Sequence, residues 1–259
     1  VLEEAGVDPS SMSSPADVVE ACAAVAENTD AVPFAQQTSG SWSTIQLWET
    51  VLLAQGGMGA YTSFIEGNGD VDQVRSALEH VVELSEYYPS DASSISFTEA
   101  NTMVMEGDAA FIHQGDWAAG AYSGNDEFNY GEDWGQVTYP GSEGSYLLNM
   151  DSFPYFDNNP SPEATKTFLS YCGTTDAQVR FNREKGSIPP RKDADVSELN
   201  TFQQDQYDDF TNAENQPPSI QHGLAVSPQI KTNITSAFSA FLEDYDADAT
   251  AEALVGAFE

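Results

Sequence analysis

The chain has 259 residues, enough to bury a sizeable core as one large domain or as two lobes. Hydrophobic residues make up 40% of it and aromatics 11%, which separates it from a disordered acidic tail. Only eight Lys and Arg stand against 42 Asp and Glu, and so few cations disfavour a nucleic-acid partner, whose phosphate counterions they would have to replace. A formal charge of −34 costs folding stability through self-repulsion unless salt shortens the Debye length. Scarce Lys with abundant Asp, Glu, Ser and Thr is the pattern expected of a protein adapted to molar salt. No run approaches the roughly eighteen apolar residues of a membrane span, and no signal peptide opens the chain.

The start, "VLEEAGVDPSSMSSPADVVEACAAVAEN", reads as the end of one helix, a turn and a second helix. Ser14 suits an N-cap, Pro15 the first helical position, and Asp17 the positive end of the helix dipole. "SWSTIQLWETVLLAQGG" places Ile45, Trp48, Val51 and Leu52 on one helical face and stops at Gly56-Gly57. "DVDQVRSALEHVVELSEYY" repeats the spacing with Val71, Val74, Leu78, Val81 and Val82 before Pro89. "FTEANTMVMEG" predicts another helix, leading into a short apolar strand in "DAAFIHQGDW". "WGQVTYPG" and "SYLLNMDSFPYF" read as strands, and two helices split at Gly173 fill Pro160 to Lys185. From Asp195 the pattern is helical again, with breaks at Pro217-Pro218 and Pro228. Short strands interleaved with helices predict an α/β fold. Cys22 and Cys172 both fall on predicted helices and read as small buried hydrophobes rather than a bridge.

Catalytic and metal signatures do not emerge. The three histidines, His80, His113 and His222, are scattered, and no phosphate loop, nucleophile elbow or zinc motif occurs. "NGDVDQVRSALE" matches part of a calcium loop, but Gln73 stands where the sharp turn needs Gly, so it reads as an acid-rich helix start. No metal, no cofactor and no enzyme activity is expected. Two other features stand out. In "LNMDSF" a strand would turn Asn149 and Asp151 to one face and Leu148 and Met150 to the other. Such a polar pair is costly if buried unpaired; it matches vicinal hydroxyls, or it caps a neighbouring loop. The second is "RFNREKGSIPPRK", which gathers five of the eight cations: Arg180, Arg183, Lys185, Arg191 and Lys192. Arg180 and Arg183 suit a helix C-terminus, Arg191 and Lys192 suit pairing with acids of the second lobe, and Lys185 sits in the turn itself.

In order along the chain, "LEEAGVDP", "LLAQGG", "FTEANTMVMEGDAAFIHQGDWAAG", "NMDSF", "FNREKGSIPPRKD" and "QHGLAV" resemble the solute-binding proteins of carbohydrate ABC transporters. The likeness is to the glucose- and mannose-binding branch of the family 1 extracellular solute-binding proteins, of a haloarchaeal type. It implies a two-lobed, periplasmic-binding-protein-like type II α/β fold that closes on a sugar. Residues 1–140 and 188–259 would form most of the second (C-terminal) lobe, and 141–187 a returning segment of a partial first lobe. It further implies an N-terminally truncated chain, a monomer, extracellular and held at the cell surface by an N-terminal lipid anchor outside this sequence. Its partners would be a small-molecule sugar and the permease subunits of an ABC transporter.

A pyranose presents an apolar C–H face and a rim of hydroxyls, so its site needs an aromatic platform beside fixed polar groups. The resemblance implies Trp117 as the platform, the Asn149–Asp151 pair and Lys185 on hydroxyls, and His222 as a further hydrogen-bonding partner. Trp42, Gln46 and Gln221 are additional candidates. The ligand implied is glucose or a related monosaccharide; the alternatives are an oligosaccharide or polyol, and, in another class, a carbohydrate-active enzyme built on two acids. A surface or adhesive protein is a third reading, and the single sequon Asn233-Ile234-Thr235 is compatible with it.

Overall fold

A computed structural model describes residues 1–125 and 127–259. Helices dominate, and their ends follow local chemistry. A short helix, α1 (Leu2–Ala5), stops at Gly6 in the left-handed conformation. The next, α2 (Pro15–Asn28), begins where the Asp17 carboxylate accepts the backbone N–H groups of Ser13 and Ser14 at 2.7 and 2.9 Å. Strand β1 (Val32–Phe34) follows. The long α3 (Trp42–Ile65) is broken at Gly57, whose φ of 64° only glycine adopts readily, so the expected stop is a kink with more helix beyond it. Asp70 caps α4 (Val71–Ser85) by accepting from Gln73 N–H at 3.0 Å, which gives this acid a structural role. Ser96 and Glu99 form a reciprocal capping box at the start of α5 (Phe97–Glu106). Strand β2 (Ala109–Phe111) then pairs parallel to β1, Val32 opposite Ala109 and Phe34 opposite Phe111. After a one-turn α6 (Ala119–Tyr122) come α7 (Pro162–Cys172), α8 (Thr175–Lys185), α9 (Thr201–Asn212), α10 (Pro228–Asp244) and α11 (Ala247–Val255).

Two expected strands do not form. "WGQVTYPG" has no strand, and "SYLLNMDSFPYF" makes only isolated bridges, Ser145 to Asn215 and Leu148 to Pro218. The reason lies in the partner. Tyr146 and Leu148 donate to the carbonyls of Asn215 and Pro217, and Asn215 and Ser219 return bonds to Gly144 and Leu148, but Pro217 has no N–H to give Tyr146, so the ladder is broken between the two bridges.

The chain divides into two compact units, each described separately. The first comprises Val1–His113, Gln136–Leu148 and Glu214–Glu259. Its core is Ile45, Trp48, Val51 and Leu52 of α3 against Val74, Leu78 and Val81 of α4, with Ile234, Phe238 and Phe241 of α10 and Leu254 of α11. Trp48 meets the rings of Phe64 and Phe238 at 5.1 and 5.3 Å. Cys22 is fully buried there, and burial pushes its thiol up to about 12.

The second unit comprises Gln114–Gly135 and Asn149–Ala213. It groups 114–135 and 188–213 with 149–187, while 136–148 belongs to the first unit. Tyr122, Tyr130 and Trp134 share ring contacts, and Phe202 of α9 packs on Tyr130 and Trp134. The fully buried Gln203 donates to the carbonyls of Asn182 and Ser187 at 2.7 and 2.8 Å. Cys172 belongs to this unit, and both cysteines are free.

Candidate functional site

In the second unit the "GDWAAG" and "KGS" segments lock together. Trp117 stands on a 3-10 turn, Asp116–Ala118, with its ring folded over Gly115; a Cβ on Gly115 would lie 2.1 Å from the indole. Glycine is what lets the ring lie there. Gly120 of α6 meets Gly186, the left-handed residue ending α8, backbone to backbone: a Cβ on Gly186 would fall 2.3 Å from the Gly120 nitrogen. This contact sets Lys185, the last residue of α8, beside Asp116. The Asp116 carboxylate accepts the Ile188 N–H at 3.3 Å.

Two expected sugar contacts meet each other. Lys185 Nζ donates to Asp151 Oδ2 at 2.6 Å, with the Lys side chain 34% exposed and the Asp side chain 78%. An ion pair that open contributes at most about 1 kcal/mol to folding, so the fold alone gives little reason for it. Asn149, two residues before Asp151, is half-buried. The two therefore stand on irregular backbone and not on the alternating strand expected. Burial raises the carboxyl of Asp116 above its ordinary value; the Ile188 N–H and the Lys185 charge oppose that rise, while Asp151 adds to it. Trp117, Asn149, Asp151 and Lys185 thus share one unit, with Asp116 as a member the sequence reading passed over.

The rest of the basic island is structural. Arg180 pairs with Asp176 one turn back, and Arg183 with Glu184 and Glu198. Arg191 pairs with Asp193 and also donates to the Gly173 carbonyl. Lys192 departs from expectation, lying over the Phe210 ring at 5.7 Å with no acid within ion-pair distance among the described residues.

His222 belongs to the first unit. Its Nδ1 is 2.9 Å from Ser219 Oγ, which also accepts the His222 backbone N–H at 3.1 Å. Ser219 Oγ lies 2.7 Å from Oε1 of Glu49, a fully buried carboxylate on α3. Glu49 Oε2 accepts from Ile220 N–H at 2.6 Å, and the Tyr61 hydroxyl lies 3.0 Å away. Desolvation pushes Glu49 up to about 7, against these hydrogen bonds, which favour its ionised form. Gln221 accepts from Lys231 Nζ at 2.8 Å. Trp42 packs on Phe97 at 5.9 Å and Gln46 is buried.

Acid, serine and histidine in mutual contact suggest a hydrolytic triad, but the order is wrong. The serine sits between acid and imidazole, so the acid does not orient the base, and Ser219 is itself buried. What both clusters offer is charged and amide hydrogen-bonding groups, with an indole face in the second unit.

That fold has counterparts among solved binding proteins. The solute receptor AcbH aligns with a TM-score of 0.79 at 13% identity, over 99% of this chain and 66% of its own. A chitin oligosaccharide binding protein aligns at 0.75 and 16%, over 98% and 66%. The likeness shows a shared fold.

Family membership follows from the sequence match: residues 1–207 fit the bacterial extracellular solute-binding protein family, and the chain belongs to it. Among curated relatives, the xylose/arabinose-binding protein XacG of Haloferax volcanii is 44% identical over 259 residues. An uncharacterized ABC transporter extracellular-binding protein of Pyrococcus horikoshii is 31% identical over 262. The alignments cover 99% and 100% of this chain, which spans 56% and 58% of those relatives.

Proposed function

We propose that this chain is part of an extracellular receptor that binds a monosaccharide and delivers it to an ABC import permease when its lobes close. The observation that carries the reading is the Lys185–Asp151 pair, set beside Asp116 and Trp117 by the Gly120–Gly186 contact. A lysine offers three donors, the two carboxylates four acceptor oxygens, Asn149 both kinds, and the indole a face for C–H bonds. His222, in the first unit, is kept as a proposed sugar contact on the sequence resemblance alone. The expected return into the first lobe, 141–187, would bring Asn149, Asp151 and Lys185. The sugar expected from the sequence is glucose or a related monosaccharide; among these we favour an aldopentose, a reading supported by the likeness to a protein named for xylose and arabinose.

Calorimetric titration with D-xylose, L-arabinose, D-glucose and maltotriose tests the class, and no heat with any of them overturns it. Lys185→Met keeps the stem and removes the donors, so affinity for the preferred sugar should fall by roughly ten- to hundredfold with unchanged thermal stability. Unchanged affinity would remove Lys185 from the site.

We also propose that the protein works in concentrated salt. Its formal charge of −34 should raise the midpoint of urea unfolding as KCl rises from about 0.1 M to about 2 M. A midpoint independent of salt would end that reading.

A further inference from the structure

Three polar atoms along one face of α3, all in the first unit, are buried and make no hydrogen bond among the described residues: Gln37 Nε2, Gln46 Oε1 and His113 Nδ1. Gln37 and Gln46 are 2% and 5% exposed. Ser43, Gln46 and Thr50 follow one another at three- and four-residue spacing, so they share that face. At one end Ser43 Oγ donates to the Gln37 carbonyl at 2.6 Å; at the other His113 Nε2 lies 3.2 Å from Thr50 Oγ1. Gln46 stands between them. Parallel strands β1 and β2 run out here, Gln37 three residues past the end of one and His113 two past the end of the other. The carboxyl ends of parallel strands are where open α/β sheets take their ligands. Thr50 and His113 are half-buried, so the face meets the surface at that end.

Neighbouring bonds fix which of the three donates. Thr50 Oγ1 spends its one proton on the Gln46 carbonyl at 2.9 Å, so His113 Nε2 must donate to Thr50. Burial pushes this imidazole down to about 4, and in the neutral ring Nδ1 is then a bare lone pair. Ser39 Oγ donates to Gln37 Oε1 at 3.1 Å, which sets the amide of Gln37 with its NH₂ on the other side. The face therefore holds one donor, Gln37 Nε2, and two acceptors, Gln46 Oε1 and His113 Nδ1. An anion has no hydrogen for the two acceptors, and a cation has no lone pair for the amide. Two neighbouring hydroxyls have both, a proton for each acceptor and lone pairs for the donor.

We propose that Gln37, Gln46 and His113 form a hydroxyl-binding cluster in the first unit that takes two neighbouring hydroxyls of a neutral sugar. That the hydroxyls belong to a sugar rests on the sugar-binding reading above. A buried polar atom left unpaired costs folding free energy, and a fold keeps one where a ligand completes it. Such a role has its own signature. Methionine fills nearly the space of glutamine with nothing polar to desolvate. Gln37→Met and Gln46→Met should therefore melt no lower than the wild type, and higher if anything, while binding sugar more weakly. A structural role predicts the reverse, a lower melting temperature with affinity unchanged.

The test titrates D-xylose, L-arabinose and D-glucose calorimetrically into this chain and into the two variants. For the sugar that the wild type binds best, each variant should bind about tenfold more weakly. Wild-type affinity in both variants, whatever their melting temperatures, overturns the cluster and leaves the sugar-binding reading standing. No heat from any of the three sugars overturns both. His113 supplies a readout that needs neither methionine variant. Its Nδ1 resonance in ¹⁵N NMR, assigned by its loss in His113→Gln, should move upfield on saturation with the same sugar, because an accepting nitrogen gains a hydroxyl proton. Should the methionine variants not fold, an Nδ1 resonance unmoved at saturation overturns the cluster alone.

Discussion

Acidification from pH 6.5 to about 4 should remove on the order of 3 kcal/mol of stability for each of His80 and His113. Both imidazoles are held neutral in the first unit, and burial pushes both down to about 4. His80 Nε2 is 2.8 Å from the Tyr139 hydroxyl, His113 Nε2 is 3.2 Å from Thr50 Oγ1, and the Tyr139 ring stands edge-on to both. The sign follows from the depressed values. The folded state prefers the neutral rings, so their contribution is fully present above 6.5 and is lost as pH falls through the folded values. Glu83, 3.8 Å from His80 but largely exposed, recovers little when the ring charges. Glu49 runs the other way: raised to about 7, it contributes most below its ordinary 4.5 and loses that contribution as pH rises through 7. The wild-type curve mixes these effects, so the informative quantity is a difference. Urea unfolding at several pH values should show the wild type losing stability relative to His80→Gln/His113→Gln as pH falls. Parallel curves would mean the rings are not buried as described.

Gly120→Ala carries the second large effect. In an exposed helix the change would gain up to about 1 kcal/mol. Here the new methyl would lie 2.3 Å from the Lys185 carbonyl oxygen and 3.1 Å from its carbon, atoms of a backbone that cannot rotate away. Overpacking of this kind costs about 1–3 kcal/mol or more, so the clash outweighs the propensity. Because the displaced atoms belong to Lys185 and Gly186, ligand affinity should fall together with the melting temperature of the second unit. Gly124→Ala is the matched control, with no atom nearer than 3.5 Å to the added carbon. A Gly120→Ala variant as stable as the wild type would contradict the backbone contact.

Much of the helical architecture was legible because its signals are local. Pro15 opens α2, the Ser96–Glu99 box opens α5, Gly173 separates α7 from α8, and Pro228 opens α10. The alternation from Tyr146 to Asp151 reads as a strand, yet what breaks its pairing at Tyr146 is Pro217, about seventy residues away. Contacts of that separation leave no mark on local periodicity. The grouping of 114–135 with 149–213 left no mark for the same reason, since a glycine-to-glycine contact has no side chain to reveal it. Glu49 did carry a signal: a lone acid four residues after Ile45 and three before Leu52, on an apolar face. Ser219 carried none, being one serine among many.

The order of segments has a consequence for how the chain is assembled. The second unit is an insertion: all of it lies between residues 114 and 213, interrupted only by 136–148. The core of the first unit cannot close until Ile234, Phe238, Phe241 and Leu254, supplied by its last two helices, have been made. On a ribosome releasing the chain from its N-terminus, residues 114–213 have all been made while the outer unit still lacks a wall. Until then the apolar faces of α3 and α4 wait uncovered, so truncation after residue 213 should yield aggregation through the first unit rather than a smaller soluble domain.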